Sequence, residues 1–492
     1  MSLADSIGAR YTLDEGTTNL RNFVDRNIIS GNAGEIERIA KYYLYWNFYE
    51  GAHWKDYNET FLSFNYCKAF VNKVINFLNG KDSYSLRISR HDGKKVEPDI
   101  ESAIEGEVNF HLNKTKKAIY TFEMFQMGGV CGTVWLFPEY IPAKKYIHIR
   151  VMDSRHVFPE FDNGDVSKLV AITIRTRLLQ NPSDYKIKCL RYTNDNVEEW
   201  FQKDTATGDK VVKYQPTSTK NTYGFIPIIS IKNTPSPNSY YGTSDLSDLM
   251  KINKTYNELH EEAKGVIEYY GTPTTVITGG TIRTLKKGLG NIWSGLPPEA
   301  NVFNLSLGED LSGTMQFLDR LKVAMHEISD VPESVLGKTQ AISNTSAAAL
   351  QIMYQPLLQQ ANLKWMMYGE GQAELHNMIL RILKLVEPDK EIFQTLANAQ
   401  AEVDDFFIYP IYSYGLPKDV LSELQIMQMK AQLKLDSRQN MMNQLGITDV
   451  PAVMDAIDED NLRQGALQSQ IQNIEMGNPT DNTEADNQQP MA

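Results

Sequence analysis

The sequence predicts an α+β fold, mainly α, and two stretches of opposite periodicity carry that prediction. Between Gly242 and Leu385 apolar residues recur at three- and four-residue steps, interrupted by one Gly/Pro-rich excursion and one short polar loop. From Gly132 to Lys232 the period shortens to two, with β-branched runs separated by turn signals. At 492 residues the chain exceeds what one hydrophobic core can hold. It is expected to divide into about two to four structural units.

The elements follow in order. Residues 1–34 are polar and read as an N-terminal arm. From Glu35 to about Gly129 helical patterns dominate. Within them Ile36, Ile39, Tyr43 and Trp46 share one helical face, so the aromatic run there reads as core packing, not as a base-stacking platform. The segments TVWLF, KYIHIRV, KLVAITIRTRL, YKIKCLRY and FIPIISI then read as strands of an antiparallel sheet. Asp162-Asn163-Gly164-Asp165 and Thr207-Gly208-Asp209 mark turns between them. The breaker NTPSPNSYYG closes this region at 233–242.

A helix is expected to open at Ser244 as N-cap, with Asp245 and Asp248 in a first turn where the helix dipole favours acids. Its apolar face is Leu246, Leu249, Tyr256, Leu259, Ala263, Ile267 and Tyr270, and Gly271 and Pro273 stop it. TPTTVITGG reads as a short strand inside a compact insert at 271–312. A second helix, MQFLDRLKVAMHEISD, ends before Pro332, and a polar loop follows. The third helix, about 347–387, would run for about 60 Å at the helical rise, with a kink at Pro356. Residues 388–465 hold one strand near 404–414 and further helices from Pro417. The remainder, 466–492, is polar and acidic and is expected to be disordered.

Composition narrows the function. A net charge of −12 argues against a sequence-specific DNA reader, which needs a basic patch for phosphates. No basic-then-apolar leader opens the chain and no run approaches 18 apolar residues, so neither a signal peptide nor a membrane span is expected. Cys67, Cys131 and Cys189 are too few and too far apart for a disulfide framework or a thiolate metal site. There is no Gly-x4-Gly-Lys-Ser/Thr phosphate loop and no Gly-x-Ser-x-Gly elbow. The glycines of GLGNIWSG are misplaced for a dinucleotide fingerprint. His260 and His326 lack a second ligand at helical spacing and read as exposed helical histidines. Lys114, Lys116 and Lys117 read as a solvated helix face, and Met427, Met429, Met441 and Met442 as helix packing. Asp404-Asp405 and the group Asp455, Asp458, Glu459 and Asp460 leave one enzymatic alternative open, a metal-dependent nuclease. Successive acids point to different sides of a helix, which favours a solvated face. No catalytic, metal or cofactor site is expected.

Four passages together carry a resemblance. They are the helix–insert–helix–loop–long-helix order of 242–385, WNFYEGAHW followed by FNYCKAFVNKVINFLNGK, MDSRHVFPEFDNGD, and GLPKDVLSELQIMQMKAQLKLDSRQNMMNQLGITDVPAVMDAIDEDN. In this order they resemble the SPP1-like portal proteins of tailed bacteriophages, the head-to-tail connector rings at one capsid vertex. The resemblance implies a portal fold. Its wing is 35–240, helical and then antiparallel β, with a strand pair around a Phe-Pro turn. A stem helix follows at 241–270, a clip at 271–312, a second stem helix at 313–332, a tunnel loop at 333–346, the long kinked helix at 347–387 and a crown at 388–465. It also implies a homo-oligomeric ring, a dodecamer, that passes double-stranded DNA without reading its sequence during packaging and ejection.

The implied partners are the terminase large subunit, a head–tail connector or adaptor protein, and the major capsid and scaffolding proteins. The implied location is the unique vertex of the virion, with assembly in the host cytoplasm. The loop residues Gly337, Lys338, Thr339, Gln340, Ser343 and Asn344 would face DNA, and Arg283, Lys286 and Lys287 in the clip would dock partners. An acidic chain suits a conduit whose walls must not hold phosphates, and equally suits a protein that is merely kept soluble. Another capsid or tail structural protein is the nearest alternative within the same class.

Overall fold

The computed structural model describes residues 33–52, 61–80, 84–162, 168–178, 186–203, 214–237, 239–271, 275–279, 298–304, 311–336, 352–412, 420–435, 437–444 and 450–476. They form two units, within 1–416 and within 417–492. The first is built on helices α1 (Ala33–Glu50), α2 (Tyr66–Asn79), α3 (Pro98–Lys114) and α4 (Lys117–Cys131), followed later by α5 (Leu249–Gly271), α6 (Leu311–Ile328), α7 (Gln355–Val386) and α8 (Glu391–Asn398). The second contains α9 (Val420–Gln432), α10 (Arg438–Gln444) and α11 (Val450–Met476). The fold is α+β and mainly α, with antiparallel sheets.

The strands of the first unit are β1 (Ser85–Arg90), β2 (Thr133–Ile141), β3 (Tyr146–Met152), β4 (Val157–Phe161), β5 (Leu169–Leu178), β6 (Lys186–Tyr192), β7 (Asn196–Lys203), β8 (Tyr214–Lys220) and β9 (Ile229–Lys232), then β10 (Thr275–Thr278), β11 (Asn301–Asn304) and β12 (Phe406–Ile411). A five-stranded meander runs β4-β5-β6-β7-β8, and a three-stranded sheet runs β3-β2-β9. Trp135, Phe137, Val157, Ile172, Ile174, Ile226 and Ile228 form a core between strands of both sheets. The larger core joins α2, α4 and α7 through Phe70, Val71, Met124, Phe125, Tyr368, Leu375 and Ile379. β10 pairs with β11 in the insert between α5 and α6, and β1 pairs with β12 from far along the chain.

Several expectations change on contact with the fold. α5 begins at Leu249, later than expected, although the Ser244 hydroxyl still accepts from Leu246 N (3.1 Å) as a cap does. The same hydroxyl faces the carbonyls of Val130 (2.6 Å) and Gly129 (3.1 Å), because the chain there is drawn onto the end of α4. The break expected near Pro356 falls at Tyr354, which separates helical Ile352 and Met353 from α7, and Pro356 lies in the first turn of α7, where a missing N–H leaves no bond unmade. Phe158-Pro159 is not a turn but lies inside β4, an edge strand, where proline is tolerated. His326 is buried, with Nδ1 2.7 Å from the carbonyl of Val331, and His260 is half-buried against Phe64 and Tyr256. Lys117 is not on a solvated face. Its ammonium donates to the carbonyl of Tyr84 (2.5 Å) and sits 3.9 Å from the centroid of the Tyr84 ring, and burial lowers its pKa to about 8.

Candidate functional site

The sequence walks from β9 to α5 through residues 233–248, and this passage meets α4 and α7 at one polar cluster. Lys364 on α7 is 2% exposed. Its three ammonium protons have three acceptors: Asp245 Oδ1 and Oδ2, both at 2.8 Å, and Asn233 Oδ1 at 2.7 Å. Asn233 Nδ2 donates to Asp245 Oδ1 (2.8 Å) and to the carbonyl of Thr243 (3.2 Å). One turn along α7 from Lys364, the Tyr368 hydroxyl donates to Asn233 Oδ1 at 2.9 Å. Complete burial, with Asp245 nearby, holds the Tyr368 phenol well above its ordinary range. A buried ammonium is tolerable only because every proton is placed, and removing one partner of such a pair costs several kcal/mol, about 3–5.

Backbone geometry around the cluster is equally specific. α4 ends at Gly132, whose φ of +83° is a left-handed conformation suited to glycine. The Gly132 carbonyl accepts from Asn233 N at 2.9 Å, and the Gly129 carbonyl accepts from Asp245 N at 2.9 Å. Gly242 N donates to Thr133 Oγ1 at 3.0 Å. At Gly128 a Cβ would lie 1.7 Å from the Tyr368 hydroxyl, so only glycine lets α7 bring that phenol in. The cluster therefore fixes the direction in which the chain leaves the sheets and becomes α5.

α5 carries a second polar device. Asn253, Asn257 and Glu261 follow one another at four-residue steps and so share one face of the helix. Asn253 donates to the carbonyl of Phe64 (2.9 Å) and accepts from Cys67 N (3.3 Å). Asn257 accepts from Phe64 N (2.8 Å) and donates to the same carbonyl (3.1 Å). Glu261 accepts from Leu62 N at 2.9 Å. The segment ahead of α2 is thereby tied to α5 through its backbone, and Tyr66 and Tyr256 pack edge to face beside it.

Farther along, the character of α5 reverses. Ile267 is 57% exposed, and Tyr270 is also exposed. α6, which packs on α5, exposes Met315, Phe317, Val323 and Ile328, and the hairpin beyond exposes Val302 and Phe303. Each is a large apolar side chain left about half in water.

The residues expected to face DNA, Gly337, Lys338, Thr339, Gln340, Ser343 and Asn344, lie outside the described residues, as do Arg283, Lys286 and Lys287. Of the expected loop 333–346 the described residues include only a 3-10 turn at Glu333–Leu336. The acids considered for a nuclease are dispersed. Asp404 pairs with Arg381 at 2.6 Å, and Asp405 accepts from Glu402 N at 2.8 Å as part of a capping box. Asp455, Asp458, Glu459 and Asp460 are exposed on α11. Among the described residues no group of three or more His, Cys, Asp or Glu side chains is placed to hold a metal. The three cysteines are buried, and burial pushes the Cys67 thiol up to about 12. No helix among them is long and apolar enough to cross a membrane.

The described residues thus combine helices locked by buried polar side chains with apolar side chains left exposed on α5 and α6. Residues 25–465 match the family model "Phage portal protein, SPP1 Gp6-like", and the chain belongs to that family. Among solved structures it is similar to a chain from the neck of a native GTA particle computed with C12 symmetry. The two are 12% identical, with a TM-score of 0.41, covering 77% of this chain and 88% of that one. A chain from the neck of an empty GTA particle computed with C6 symmetry matches with the same values. No curated protein matches the chain.

Proposed function

We propose that this portal-family chain closes into a homo-oligomeric ring, a dodecamer, at one capsid vertex, and that the ring is the channel for double-stranded DNA in packaging and ejection. The family match across residues 25–465 carries this reading. The apolar side chains exposed on α5 and α6 support it, since a neighbouring copy would cover them. In this reading residues 35–240 are the wing, α5 and α6 the stem pair, 271–312 the clip, 333–346 the tunnel loop, α7 the spine and 388–465 the crown. Lys338 and its polar neighbours meet the phosphate backbone without reading bases. Arg283, Lys286 and Lys287 dock the terminase large subunit and later the head–tail connector. Scaffolding and major capsid proteins meet the ring during assembly in the host cytoplasm. The work is mechanical and organisational, not catalytic.

Sedimentation or native mass spectrometry of the purified protein tests the ring. A closed multiple of the 55.9 kDa subunit is expected, and a monomer at every concentration overturns the reading. Lys338→Glu tests the loop separately: rings should form normally, while DNA packaging fails at low salt and recovers in part at higher ionic strength. Normal low-salt packaging by that variant removes Lys338 from the DNA path.

A further inference from the structure

We propose that the buried cluster of Lys364, Asp245, Asn233 and Tyr368 is the joint that sets the angle of α5, and through it the number of copies that close the ring. The inference rests on the ring reading and adds to it the residues that decide ring size.

The argument begins with closure. In a ring of n copies each contact turns the next copy by 360°/n, so near a dozen copies one subunit more or fewer changes that turn by only about 2–3°. α5 has 23 residues and spans about 34 Å, so a tilt of that size at its base moves its tip by roughly 1.5 Å. An interface of apolar side chains between identical copies resists such a shift weakly, because hydrophobic attraction has no direction. Something inside each subunit must therefore hold the angle.

The cluster is placed and built to do so. It sits where β9 ends and the chain turns toward α5, and it clamps that passage between the end of α4 and the middle of α7. Its bonds are directional and charge-assisted: the Lys364 ammonium meets three acceptors at 2.7–2.8 Å, and two of them lie on the single carboxylate that precedes α5. Asn233 Oδ1 takes protons from both Lys364 and Tyr368, so sliding α7 or α5 breaks more than one bond at once. An apolar contact of equal volume would match or exceed the cluster in stability while permitting small rotations. A buried charge cluster at this point is thus a weak way to gain stability and a strong way to fix one orientation.

The test replaces charge and keeps volume. Lys364→Met combined with Asp245→Asn leaves no uncompensated charge in the core. Denaturant unfolding and native mass spectrometry are read on the full chain. The expected result is an unfolding midpoint close to that of the parent, with ring masses spread over neighbouring copy numbers where the parent gives one. A folded double variant with the parent's single ring mass overturns the proposal. If the double variant fails to fold, Tyr368→Phe decides. It removes one hydroxyl and one of the two protons on Asn233 Oδ1, and it should widen the ring distribution to a smaller extent. A folded Tyr368→Phe protein with an unchanged single mass then overturns the joint. A parent protein that forms no ring overturns the ring reading itself, which is a separate result.

Discussion

The two ends of α5 are built on opposite principles. At its base a set of buried polar groups is matched inside the subunit: Lys364 to Asp245 and Asn233, and Asn253 and Asn257 to the backbone around Phe64. Toward its tip Ile267 and Tyr270 are exposed to solvent, and α6 exposes Phe317 and Val323 along its length. The base binds its polar groups internally, and the tip leaves apolar side chains in water. Substitutions at the base should therefore register in the stability of the single chain, and substitutions at the tip should register only when copies meet.

The largest effect should come from Lys364→Ala, which strands the Asp245 carboxylate in the core. A loss of about 3–5 kcal/mol is expected in denaturant unfolding, and a loss below about 1 kcal/mol would mean the base is less closed than described. Gly128→Ala attacks the same cluster from α4 by placing a Cβ 1.7 Å from the Tyr368 hydroxyl. Overpacking of this kind costs about 1–3 kcal/mol, and pairing it with Tyr368→Phe should recover part of the loss. Asn257→Ala removes both bonds to Phe64 and should cost about 1–2 kcal/mol, with earlier proteolysis near residue 60. At the tip, Ile267→Ser and Phe317→Ser should leave single-chain stability within about 0.5 kcal/mol while shifting the ring–monomer balance toward monomer. An equal loss of stability at base and tip would erase the contrast.

A pH-dependent effect sharpens the picture of the interior. His376 on α7 donates from Nδ1 to the carbonyl of Ile408 (3.0 Å), and its Nε2 faces the Tyr84 hydroxyl (3.2 Å). Burial lowers its pKa to about 4 from an ordinary 6.5. Between those values the unfolded chain binds the proton and the folded chain does not, so stability present above about pH 6.5 is lost as the pH falls toward 4. In His376→Gln the unfolding midpoint should decline less steeply across that window.

The legible parts of this molecule were those governed by local periodicity. The runs TVWLF, KYIHIRV, KLVAITIRTRL and YKIKCLRY lie in β2, β3, β5 and β6, and both α5 and α6 stand where three- and four-residue steps placed them. β1 was missed because SLRISR is short and its partner lies far along the chain. Lys364 was illegible for a different reason: one lysine on an amphipathic helix looks like any solvated lysine until the helix is packed. Ser244 and Asp245 carried the signature of a helix start, and Ser244 does accept from Leu246 N, but both side chains also bind α4 and α7, which nothing local announces. The asparagine ladder was half legible. Asn253, Asn257 and Glu261 at four-residue steps on an apolar helix signal a polar seam, although nothing local names residues 62–67 as its partner.

The pairing of β1 with β12 has a consequence for synthesis. The two strands are joined across about 320 residues, so at a translation rate of about 5–20 residues per second β1 waits roughly 16–64 seconds for its mate to leave the ribosome. Throughout that interval an unpaired strand edge is available to any other nascent chain, including another copy of itself. Arg87 and Arg90 put two positive charges into the six residues of β1, and charge on an edge is the ordinary defence against mispairing.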